Sequence, residues 1–147
     1  MKTAIDILHA KSIQTVYSVP PDAFAREAVR LLAELNIGAL VVAEAGRIVG
    51  VLSERDFVRR LGVHGVIPPD LRVSELMTSK VLYAQPTMTN EECMAVMTDN
   101  RLRHLPVVDA TGRLLGVVSI GDLIKDIISE QKYVIEQLEH YIAGALA

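Results

Sequence analysis

The sequence holds one cysteine, Cys93, which excludes an internal disulfide framework and any metal site built on paired cysteines. It holds no apolar run near the length of about 18 residues that a bilayer-crossing helix needs, and the residues from Met1 to His9 are too polar for the core of a secretory signal. Positive charge is not in excess either. The formal net charge of -3 argues against a general nucleic-acid binder, because such domains usually carry a basic face; a local basic pocket stays compatible with it. There is no Walker-type phosphate loop, no nucleophile with an evident base partner, and no set of histidines or cysteines at ligand spacing. The expectation is a soluble, cytoplasmic protein that binds rather than catalyses, with no metal requirement and no membrane or nucleic-acid partner.

What the sequence does have is a phrase that occurs twice. Arg47-Ile48-Val49-Gly50-Val51-Leu52-Ser53-Glu54-Arg55-Asp56 is matched by Arg113-Leu114-Leu115-Gly116-Val117-Val118-Ser119-Ile120-Gly121-Asp122. Each copy is an apolar run with one glycine, then Ser-x-x-Asp, then apolar residues at helical spacing, so each reads as a strand entering a helix. Asp56 and Asp122 lie 66 residues apart. A gap-free register at that offset extends from about Val16 to Arg60, setting Tyr17 on Tyr83, Pro20 on Pro86 and Val41-Val42 on Val107-Val108. Two copies point to a paired module, since a solenoid needs three or more units. With 147 residues, 50% of them hydrophobic, the chain can bury one core or two small cores packed together.

In chain order the pattern predicts a short amphipathic helix ending at Lys11-Ser12, a strand over Gln14–Val19 stopped by Pro20-Pro21, and a helix with Phe24, Ala28, Leu31, Leu32 and Leu35 on one face. Two short strands, Ala39–Ala43 and Arg47–Leu52, follow as a hairpin, and a helix from Ser53 to about Leu61 closes the unit. A linker from Gly62 to Asp70 and a short helix at Val73–Met77 lead to a second unit. It has a strand over Val81–Ala84, a helix over Asn90–Asn100, strands over Leu105–Val108 and Leu114–Val118, and a helix from Ser119 that continues or restarts through Ser129–Tyr141. The expected divisions are residues 1–15, 16–62, 63–80, 81–128 and 129–147.

Ser-x-x-Asp supports two readings. As a capping box, the serine and the acid satisfy the orphan amides of a helix start and complement its dipole. The same geometry also suits a ligand: free amides beside a hydroxyl bind phosphate, and a carboxylate accepts from two ribose hydroxyls.

The β-α-β-β-α order, with Gly-apolar-x-Ser-x-x-Asp at its last strand-to-helix step, resembles the CBS domain, named after cystathionine beta-synthase. Arg103-His104-Leu105-Pro106-Val107-Val108-Asp109 is similar to that family's strand motif, and Val73-Ser74-Glu75-Leu76-Met77-Thr78 to its inter-repeat helix. The resemblance covers roughly Thr15 to Ile128. It implies an α/β fold of two repeats related by a pseudo-twofold axis, a Bateman module, with clefts that in the family hold AMP, ADP, ATP, S-adenosylmethionine or NAD. Carried over by position, Asp56 and Asp122 would hold ribose hydroxyls, and Ser53 and Ser119 would touch phosphate or ribose. Ile37, Gly38, Arg103 and His104, with the strands around Val19 and Gln85, would border adenine. Arg55, which answers Gly121, would offer a guanidinium to phosphate in the first motif only, and Lys11 is a further candidate cation. Arg103 and His104 fall on Ile37 and Gly38 in the gap-free register. The module would act as a nucleotide sensor on a separate regulated protein, or else as a ligand-free interaction module whose motifs only cap helices. The apolar-faced tail from Ser129 to Tyr141 predicts a homodimer.

Overall fold

The computed structural model describes residues 2–11 and 16–146. Helix α1 (Ala4–Ala10) starts at Thr3, whose amide donates to Asp6 Oδ2 at 3.0 Å. The part of the first expected strand at Gln14 and Thr15 lies outside the described residues; strand β1 is Ser18–Val19. Helix α2 (Ala25–Leu35) ends with Asn36 in the left-handed region at φ 53°, a residue type that tolerates it. Strands β2 (Ala39–Glu44) and β3 (Arg47–Ser53) form the expected hairpin. Ala45 and Gly46 both have positive φ there, as the type I′ connection requires. Helix α3 (Glu54–His64) runs three residues beyond the expected end and stops at Gly65, in the left-handed region.

The short helix α4 (Val73–Leu76) opens the second half, followed by α5 (Asn90–Asn100), β4 (His104–Val108) and β5 (Leu114–Ser119). Helix α6 (Ile120–Leu146) is continuous, with no restart. The first sheet has the order β1-β2-β3, with β1 parallel to β2; the second is the β4-β5 hairpin.

The expected strand at Val81–Ala84 is reduced to a single bridge between Ala84 and Val107. In the first half the amide of Val41 donates to the Tyr17 carbonyl at 3.3 Å. Its counterpart in the second half is Pro106, which has no amide to give, so the parallel ladder cannot extend.

That equivalence also corrects the gap-free register. Asn36 and Arg101 are matching left-handed caps, Val42 pairs with Gly50 as Val107 pairs with Gly116, and the bridge at Ala84 answers β1 at Val19. The offset is therefore 65 residues up to the hairpin, as from Asn36 to Arg101, and 66 only beyond it. The extra residue lies in the second turn. Asp109 Oδ1 there accepts the amides of Thr111 and Arg113, both at 2.9 Å, around a three-residue loop with Gly112 at φ 84°. Pro86 thus answers Pro21, and Arg103 and His104 answer Gly38 and Ala39 rather than Ile37 and Gly38.

Two cores form, and the short helices complete them crosswise. Leu71 and Val73, at and before α4, join Ala25, Leu32, Val42 and Phe57 of the first half. Ala4, Ile7 and Leu8 of α1 join Ala84, Met97, Val107 and Leu123 of the second. Matching bonds hold each helix: Val73 N donates to Ala23 O at 2.8 Å, and Ala4 N to Met88 O at 2.7 Å. Between the halves Arg47 bridges its own counterpart Arg113, which marks a local twofold axis.

Candidate functional site between the halves

Strands alternate their side chains between faces, so a repeated strand leaves a repeated set of apolar residues off the core. Val51 and Val117, each following the glycine of the repeated phrase, are such a pair. They line a cavity of about 470 Å³ between the halves, with Val41 and Pro106, and one side is closed by Leu8 of α1 and by Lys11, which follows that helix. The volume falls within the range of about 300–1,000 Å³ usual for small-molecule sites. The walls are mainly apolar, and His9, Lys11, His104 and Ser119 supply polar groups.

Of the expected site residues, Lys11, Ile37, His104 and Ser119 line this cavity. Asp122 lines a neighbouring cavity of about 430 Å³ that shares Lys11. Val19, Gly38, Ser53, Arg55, Asp56, Gln85 and Arg103 line neither. Val19 pairs with Val42 and packs on the first core. The Gly38 carbonyl accepts Glu54 N at 3.0 Å and the Arg103 carbonyl accepts Ile120 N at 2.9 Å. Both carbonyls therefore tie a strand start to a helix start. The Gln85 carbonyl closes a turn onto Met88 N at 3.0 Å, and Arg55 is exposed on α3.

Both Ser-x-x-Asp motifs make the capping contacts. Asp56 Oδ2 accepts Ser53 N at 2.8 Å, and Asp122 Oδ2 accepts Ser119 N at 2.8 Å. Asp122 N also donates to Ser119 Oγ at 3.1 Å. Their remaining contacts differ. Asp56 Oδ1 takes a long bond, 3.4 Å, from Thr78 Oγ1, whereas Asp122 Oδ2 is 2.9 Å from Lys11 Nζ. Lys11 Nζ also donates to the Val117 carbonyl at 3.0 Å.

This pairing shapes the electrostatics. Burial pushes the Asp122 carboxyl up, but the Ser119 amide and the Lys11 ammonium outweigh it and hold it below the usual carboxylate range. His104 keeps much of its own surface open yet sits among protein atoms. Burial lowers its pKa and Lys11 lowers it further, while Asp122 opposes them. The imidazole is thus held neutral as a donor or acceptor beside a fixed ion pair. The arrangement suits a flat apolar group between the valines and polar or anionic groups at the Lys11 end.

Sequence reasoning missed Leu8, Val41, Val51, Pro106 and Val117 as cavity residues. The signal for the two valines was present, at equivalent places in the repeated phrase. Among the described residues no group of three acidic, histidine or cysteine side chains converges to hold a metal, and no helix is long and apolar enough to cross a membrane.

The sequence profile of the CBS domain matches residues 4–63 and 73–129. A mitochondrial CBS domain-containing protein of Arabidopsis thaliana, CBSX3, is 35% identical over 123 residues, which are 80% of this chain and 59% of that protein. The chain thus spans less than two thirds of that relative. A solved structure of a protein with CBS domains from Burkholderia ambifaria superposes with a TM-score of 0.79 at 44% identity, covering 88% of this chain and 96% of that one. The cytosolic domain of the Mg2+ channel MgtE in complex with ATP superposes with a TM-score of 0.63 at 32% identity, covering 75% of this chain and 44% of that one.

Proposed function

The chain belongs to the CBS-domain family, and from that premise we propose that it is a regulatory module that binds an adenine nucleotide, AMP, ADP, ATP or NAD, between its halves. The observation that carries this reading is the cavity walled by both copies of the repeated strand, apolar in its body and bearing Lys11, His104 and Ser119. The ATP complex of the similar MgtE domain supports the ligand class. A ligand held by both halves binds best at one relative packing of them, and so shifts the population toward it. A separate regulated protein, reading that packing on a homodimer of the module, would receive the signal. At the Lys11 end Asp122 accepts ribose hydroxyls and Ser119 serves the phosphate side; Asp56, with Ser53 and Arg55, which line neither cavity, serves the twofold-related cleft in the same roles.

A second reading has its own observation: both aspartates already act as helix caps, so the motifs can be satisfied without a ligand, in a module that serves only for interaction. Mass spectrometry of what denatured, freshly purified protein releases, followed by calorimetric titration with AMP and 2′-deoxy-AMP, separates the two. A ribose held by a charged acceptor loses about ten-fold in affinity with one hydroxyl. Equal affinity for the two ligands would return both aspartates to capping alone.

A further inference from the structure

Each half seats its short helix through matching bonds, but among the described residues the contacts at the repeated valine and aspartate differ. In the first half the Val51 carbonyl accepts the amide of Thr78 at 2.9 Å and Asp56 accepts the Thr78 hydroxyl. In the second half the Val117 carbonyl and Asp122 both accept the ammonium of Lys11, at 3.0 and 2.9 Å. A cation does in one half what a neutral threonine does in the other. It does so on a wall shared by both cavities, with about a quarter of its side chain exposed, 27%.

We propose that Lys11 makes this cleft select nucleotides over nucleosides, by exchanging Asp122 for the ligand's phosphate. The inference rests on the nucleotide reading above. A ribose that donates to Asp122 competes with Lys11 for the carboxylate. Once displaced, the ammonium keeps the Val117 carbonyl but gives up the Asp122 charge that faced it, a loss that opposes binding. A nucleoside returns nothing to it. A nucleoside phosphate supplies a new anion, and the flexible four-carbon stem lets the ammonium follow it. Lys11 thus acts twice: it competes with every ribose, and it is satisfied again only by ligands that carry phosphate.

The test is calorimetric titration of the full chain with adenosine and with AMP, for the wild type, Lys11→Met and Lys11→Arg, with thermal melting of each. The wild type should prefer AMP by about ten-fold or more. In Lys11→Met adenosine should bind more tightly than to the wild type and AMP more weakly, so that the preference collapses toward one. Lys11→Arg should keep the preference, because it keeps the charge. Lys11→Gln replaces the Met variant if that one does not fold. An unchanged ratio of AMP to adenosine affinity in the uncharged variant, with only a lower melting temperature, makes Lys11 a structural strut and overturns the proposal. Wild-type protein that binds both ligands equally removes this role alone; wild-type protein that binds neither removes the nucleotide reading together with it.

Discussion

Met77 Sδ lies so close to the α-carbon of Gly50 that a Cβ there would sit 2.5 Å from the sulfur and 3.0 Å from the Thr78 carbonyl oxygen. The matching pair is Gly116 and Leu8, where a Cβ would sit 2.9 Å from Leu8 Cδ2. The glycine in each copy of the repeated phrase is therefore the place where a short helix crosses a strand at close range.

Gly50→Ala is expected to cost about 1–3 kcal/mol of stability. Gly116→Ala should cost less, since it meets only the end of a leucine side chain, whereas Gly50 also meets backbone. Urea unfolding of the two variants gives the order directly, and a larger loss at Gly116 would mean that α1 is held more rigidly than α4.

The lowered carboxyl of Asp122 links stability to acid. A group depressed in the folded state contributes stability that is present above its unfolded value of about 3.9 and is lost as pH falls through its folded value. Asp122→Asn should be less stable than the wild type at neutral pH, and the gap should close as pH falls through the lowered folded value. Melting curves across that range check the sign. A gap that stays constant with pH would assign the loss to packing.

His104 should titrate below about 6.5, its ordinary value. Its neutral form is favoured by folding, so this contribution is present above the unfolded pKa and declines as pH falls through the folded one. Proton NMR of the imidazole gives the midpoint. In Lys11→Met it should move up, because a repelling cation is gone and Asp122 is left unpaired beside it. An unmoved midpoint would mean that burial and the remaining charges set it without Lys11.

Beyond Ile128, α6 presents Ile135, Leu138 and Ile142 at 52%, 56% and 57% exposure, with Ile128 itself at 51%. Ile128, Ile135 and Ile142 recur at seven-residue spacing, the signature of a helix seam awaiting another helix. A second copy is the expected partner, and deletion after Ile128 should convert a dimer to a monomer in sedimentation at tens of micromolar. A monomeric full chain would remove the seam from any role in self-association.

The helices were legible in the sequence because their ends are chemically marked. Thr89 accepts Glu92 N at 3.2 Å to start α5, and Gly65 closes α3. The register was not, because identities at an offset of 66 persist on both sides of a turn whose extra residue changes the pairing without changing the pattern. Nor does an apolar pattern say which core a helix joins, so the crosswise placement of α1 and α4 stayed hidden. The contact between Lys11 and Asp122 comes from opposite ends of the chain, and only the folded twofold arrangement brings them together.

That crosswise placement sets an order on synthesis. Ala4, Ile7 and Leu8 have as core partners Val107, Val118 and Leu123, which are translated well after them. Helix α1 has no core partner until the second half is built, so the cavity wall it supplies cannot close before then. The first half needs no such delay, because α4 follows it directly. Contacts of such long sequence separation form slowly, so the growing chain passes through a stage in which one half is complete and the Lys11 side of the cleft does not yet exist.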